Sequence, residues 1–210
     1  MSNLFKKLRS RAMRQTGVNQ DIVVVSGLPR SGTSMMMKML EAGGMSVLSD
    51  GLRSADIDNP KGYYEFERVK QLPKGDVAWL PDARGKVVKI IAALLEYLPL
   101  GYTYRVILMQ RRMEEILVSQ RKMLARRGEA ADTVNDTEMA LLFSKHLEKV
   151  RAWLTAQPRI AVLDVDYNVL LVEPEKYATG INTFLGGHLD GGRMVDVVDP
   201  QLYRNRATQS

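Results

Sequence analysis

The 210-residue chain contains no cysteine, which excludes disulfides, thiolate metal ligands and a thiol nucleophile together. It has only two histidines, His146 and His188, far apart in sequence, so no histidine-based metal site is expected. No apolar run approaches the length of a membrane span, and the first residues lack the apolar centre of a secretion signal. The expected compartment is the cytoplasm. Internal repeats and low-complexity linkers are missing too. Acids are absent from the first twenty residues, which carry Lys6, Lys7, Arg9, Arg11 and Arg14. Those cations account for most of the formal net charge of +6, so the remainder is close to neutral and the basic balance does not mark a nucleic-acid binder. Residues 1–20 read as a solvated basic arm. Leu4, Phe5, Leu8 and Ala12 share one helical side, which leaves peripheral membrane contact through residues 1–16 as the other option.

What is present is ordinary globular material, 45% hydrophobic and 26% charged, enough for one domain over residues 21–210. The informative stretch is Val23-Val24-Val25-Ser26-Gly27-Leu28-Pro29-Arg30-Ser31-Gly32-Thr33-Ser34, followed by the apolar run Met35 to Leu40. A β-branched strand drops into a glycine-bounded loop, and a helix leaves it. The N–H groups and dipole of such a helix start suit an anion. The spacing Gly27-x-x-x-x-Gly32-Thr33-Ser34 is that of a P-loop, except that Thr33 stands where the phosphate lysine belongs. Arg30 is the nearest cation.

Pro29-Arg30-Ser31-Gly32-Thr33-Ser34 resembles the 5′-phosphosulfate loop of the sulfotransferases that use 3′-phosphoadenosine 5′-phosphosulfate (PAPS). A transferring sulfuryl group carries less negative charge than a phosphoryl group, so one loop cation without a metal is sensible there. Arg111 and Ser119, eight residues apart after an apolar strand pattern, resemble the second motif of that family, Arg-(Asp/Asn)-Pro-x-Asp-x-x-x-Ser. Its arginine and serine hold the 3′-phosphate. Arg112, Met113 and Glu115 depart from the residues between. Lys89-Ile90-Ile91 resembles a family Lys-x-His in its lysine, which would stand near the sulfuryl group, and not in its histidine. Tyr167-Asn168-Val169-Leu170 and Phe184-Leu185-Gly186 are similar to late segments of bacterial members. The resemblance also offers Arg204 and Arg206, in a basic tail, as residues closing over the nucleotide.

The implied reaction moves a sulfuryl group from PAPS to an acceptor hydroxyl or amine, leaving adenosine 3′,5′-bisphosphate (PAP), with no metal. Partners are the donor nucleotide and an acceptor, with no nucleic acid. The alternatives are a P-loop small-molecule kinase and a nucleotide-binding protein without chemistry. A hydroxyl acceptor needs a proton acceptor within hydrogen-bond reach. Ile91 cannot serve, and His146 sits on an apolar stripe as a core histidine would. The region after the loop offers Asp50, Glu65 and Glu67, of which Glu65, at the expected start of a helix beside Tyr63 and Tyr64, is preferred and Asp50 is the alternative.

Strand patterns at 45–48, 86–91, 104–109 and 159–167 alternate with helical ones. Short helices are expected over 92–98 and from Pro174 to Gly186, and a long one from the Asn135/Glu138 capping pair to Pro158. The fold expected is α/β, a P-loop-type three-layer arrangement with a mostly parallel central sheet and its ligand beyond the strands' C-terminal ends.

Overall fold

A computed structural model describes residues 20–52, 62–126, 128 and 135–199. The basic arm to residue 19, and Arg204 and Arg206, lie outside the described residues.

Five parallel strands form one sheet: β1 (Ile22–Gly27), β2 (Val47–Leu48), β3 (Val87–Lys89), β4 (Tyr104–Gln110) and β5 (Ile160–Asp166), in the spatial order β2-β3-β1-β4-β5. β1 is central and wholly buried. Val23 and Val25 join one core cluster, while Ile22 and Val24 join the other. Both faces are therefore covered, which is why β1 reads as an unbroken β-branched run instead of an alternating one.

The first cluster lies against α1 (Thr33–Ala42), α6 (Pro174–Leu185) and α7 (Gly191–Asp196). Met36, Met37 and Met39 fill it without exposure, as flexible thioethers do in irregular interiors. The second cluster takes Trp79 and Leu80, around α2 (Leu80–Ala83), 3-10 segments at Glu67–Lys74 and Ala92–Tyr97, and α4 (Asp136–Ala156). α3 (Met113–Arg126) and α5 (Tyr167–Leu170) start directly beyond β4 and β5. No described helix is long and apolar enough to cross a membrane.

Three expectations need correction. The helix near Glu65 is a 3-10 segment that begins at Glu67. Asp50 Oδ2 accepts from the Glu67 amide at 2.5 Å and starts it there, which leaves Glu65 in the non-helical stretch before it. The expected helix over 92–98 is likewise a 3-10 segment. The apolar stripe of α4 on which His146 sits is a core face only in its second half: Val150 and Leu154 are buried, whereas Leu142 is 56% exposed. The Asn135 cap is present, its side chain accepting from Glu138 N at 2.9 Å. His146 is half-buried on α4, and its Nε2 has no partner among the described residues. His188 is exposed in the turn after α6.

Candidate active site

The loop between β1 and α1 is shaped by its glycines. Gly32 has φ = 98°, and a Cβ there would stand 2.3 Å from Cδ2 of Tyr167. Gly27 leaves room for the Ser31 hydroxyl, which a Cβ would meet at 2.5 Å. That hydroxyl is buried and has no partner among the described residues. Ser31 N closes the turn onto Leu28 O at 3.2 Å, with exposed Pro29 between them. α1 then begins without a side-chain cap and without an acid in its first turn. Its positive end, with Thr33 and Ser34, is left open to an anion. Gly32→Ala is expected to cost at least about 1–2 kcal/mol from the backbone alone, with the ring clash added. A calorimetric melting temperature equal to wild type would show that the loop relaxes elsewhere.

Arg30 has φ = 70° and reaches the second motif twice. Its Nε donates to Ser119 Oγ at 2.9 Å, and its carbonyl accepts from Arg111 Nη1 at 3.1 Å. Arg111 stands one residue past β4 and Ser119 two turns into α3, and both touch the loop through Arg30. Three further residues join this cluster, Glu115, Tyr167 and Asn168, which the motif comparison covered without giving any of them a role. Glu115 accepts from Arg111 Nε at 2.9 Å, and the Arg111 guanidinium lies 4.7 Å over the Tyr167 ring. The Arg111–Glu115 spacing of four on a helix start was the one local signal available.

A second cluster lies at the end of β3. Lys89 pairs with Val25 across the sheet, so its stem is covered while its amine emerges at the strand end. That amine donates to the carbonyl oxygen of Tyr63, and lies 3.4 Å from Ser34 Oγ and 3.9 Å from Glu65 Oε1. Tyr64 turns the chain between those two contacts, with φ = 53°. Its hydroxyl donates to Glu41 Oε2 at 2.5 Å. Burial, together with the Glu41 carboxylate, holds the Tyr64 phenol above its usual range, so it remains a donor. Asp50 spends both oxygens on backbone amides, those of Leu52 and Glu67. A shallow depression lined by Ser49, Gly51, Gly62, Tyr63, Tyr64 and Glu65 opens beside the pair. Glu67 is turned to Lys70, 2.7 Å away. Among the described residues, no three acidic or histidine side chains converge as a metal site would require.

No protein-family model matches the chain, and no curated protein matches it significantly in sequence. Solved structures do match it. The sulfotransferase domain of the Synechococcus PCC 7002 olefin synthase covers 89% of this chain and 83% of its own, at a TM-score of 0.51 and 18% identity. The sulfotransferase domain from the curacin biosynthetic pathway gives 87% and 79%, at 0.51 and 16%. Mouse sulfotransferase SULT7A1, crystallised with PAP, gives 86% and 63%, at 0.52 and 18%. The chain has the sulfotransferase fold. The two clusters flank the β1–α1 loop beyond the C-terminal ends of β1, β3 and β4, where open parallel sheets place their ligands.

Proposed function

We propose that this protein is a PAPS-dependent sulfotransferase, acting in the cytoplasm on a hydroxyl or amine acceptor. The observation that supports it most is the gathering of Lys89, Ser34 and Glu65 at the start of α1, with Arg30, Arg111 and Ser119 across the same loop. Ser31, Gly32, Thr33 and Ser34 would cradle the 5′-phosphosulfate with backbone N–H groups and hydroxyls. Arg111 and Ser119 would take the 3′-phosphate, for which a guanidinium fork and a hydroxyl are suited. The acceptor oxygen attacks sulfur as its proton passes to the Glu65 carboxylate. The bond from sulfur to the bridging oxygen breaks, and its electron pair stays on the 5′-phosphate of PAP. Lys89 is the cation placed to meet that growing charge. Arg30 would assist once its guanidinium leaves Ser119.

The test is a calorimetric titration with PAP in EDTA and, separately, with ATP in excess magnesium. PAP is expected to bind without a divalent ion, because the lysine that a nucleoside triphosphatase uses is Thr33 here. Arg111→Ala should weaken PAP by about 2 kcal/mol or more, the scale of a lost charge-assisted pair. Loss of PAP binding in EDTA would overturn the donor assignment, as would unchanged affinity in the folded variant. Turnover on a panel of alcohols, phenols and amines then separates an enzyme from a nucleotide-binding protein without chemistry.

A further inference from the structure

Arg30 adopts a left-handed backbone, which a residue with a side chain keeps only when its surroundings impose it. The group that reaches its carbonyl is Nη1 of Arg111. Arg111 is itself fixed, since Nε is bound to Glu115 and the guanidinium plane lies over Tyr167. Glu115 is 1% exposed and is held from its other side by Asn168, whose Nδ2 lies 3.0 Å from each carboxylate oxygen. Asn168 is anchored in turn. Its Oδ1 accepts from Arg112 N at 3.2 Å, and its own amide donates to Asp166 Oδ1 at 2.8 Å. A chain of bonds thus runs from the β5–α5 corner, through a buried carboxylate, to the backbone of the donor loop.

We infer that Glu115 and Asn168 are positioning residues for the donor loop, aiming Arg111 at the Arg30 carbonyl and so holding the loop in its anion-cradling form. The inference rests on the sulfotransferase reading and deepens it. Without Asn168 the buried carboxylate loses one of the donors that oriented it, and it is free to draw Arg111 away from Arg30. Without the charge on Glu115, the anchor at Arg111 Nε falls from a charge-assisted bond to a weaker bond to a neutral carbonyl. In either case Arg30 can relax toward negative φ, and the N–H groups of the loop no longer converge.

The two residues can be exchanged in polarity, which gives a decisive cycle. Asn168→Asp sets a second carboxylate against Glu115. Glu115→Gln turns an amide N–H₂ toward the Asn168 N–H₂. In the double variant the amide introduced at 115 donates to the carboxylate introduced at 168. Its carbonyl still accepts from Arg111, and the new carboxylate still accepts from Arg112 N. PAP affinity is measured well below every variant's melting temperature, so that a role in stability alone does not move it. Each single variant is expected to bind PAP about tenfold more weakly, and the double variant to return within about threefold of wild type, within the range of coupled neighbours. Single variants that bind like wild type, or a double variant no tighter than the weaker single, would overturn the inference. Hydrogen exchange at the amides of residues 30–34, in protein without nucleotide, gives a second readout. The singles should raise it and the double should restore it, and unchanged exchange in the singles is equally fatal. If wild type failed to bind PAP, the sulfotransferase reading would fall, and exchange alone would judge the clamp.

Discussion

Glu65→Gln is expected to cut turnover by roughly a hundredfold or more, the scale of a lost general base, while PAP affinity and melting temperature stay near wild type. The substitution keeps the side-chain shape but replaces the carboxylate with a neutral amide that cannot take a proton, and it also removes the charge facing Lys89. Glu65 is 3.9 Å from Lys89 and borders the depression beside Tyr63 and Tyr64, so an acceptor oxygen held there would lie between a proton acceptor and the loop. Asp50, the other candidate, accepts from two backbone amides. Asp50→Asn should therefore lower the melting temperature more than it lowers turnover. Steady-state rates at saturating donor, beside PAP titrations, check both variants. Near-wild-type turnover in Glu65→Gln would move the role to Asp50 or to an acceptor that needs no base.

The parts of the fold that were legible are those whose cause is local. β1, its loop and α1 follow from a β-branched run, two glycines and an apolar helix within about twenty residues, and nothing elsewhere changes them. The Arg111–Ser119 spacing was legible for the same reason, being one strand end and two helical turns. Contacts that need the whole sheet were not. Arg30 and Ser119 are 89 residues apart, and only the adjacency of β1 and β4 brings them together. The Glu115–Asn168 bonds span 53 residues and depend on β4 pairing with β5. The Glu65 environment was misread because a left-handed tyrosine is not predicted by any propensity, and Tyr64 is what lets Tyr63 and Glu65 both approach Lys89. The stripe on α4 misled in the opposite sense. Periodicity reports which face is apolar, not how far along the helix the core extends.

Lys89→Ala should separate chemistry from binding. Negative charge grows on the oxygen between sulfur and the 5′-phosphate only as the bond breaks, so a cation aimed there acts chiefly in the transition state. Lys89 is suited to that task. Its side chain is about one-tenth exposed, and its amine is directed by the Tyr63 carbonyl to the Ser34 end of the loop. Removing the amine should lower turnover by about 10²–10³, as for a lost oxyanion donor, with a much smaller change in affinity for PAPS, whose bridging oxygen does not yet carry that charge. Arg30→Ala should follow the same pattern if its guanidinium, which donates to Ser119 Oγ before the reaction, moves to the bridging oxygen as the bond breaks. The measurement is kcat at saturating donor against the PAPS dissociation constant, taken without acceptor, for each variant. Equal losses in both quantities would mean that the residue binds the nucleotide uniformly in ground state and transition state. For Lys89 that result would leave Arg30 as the cation at the bridging oxygen.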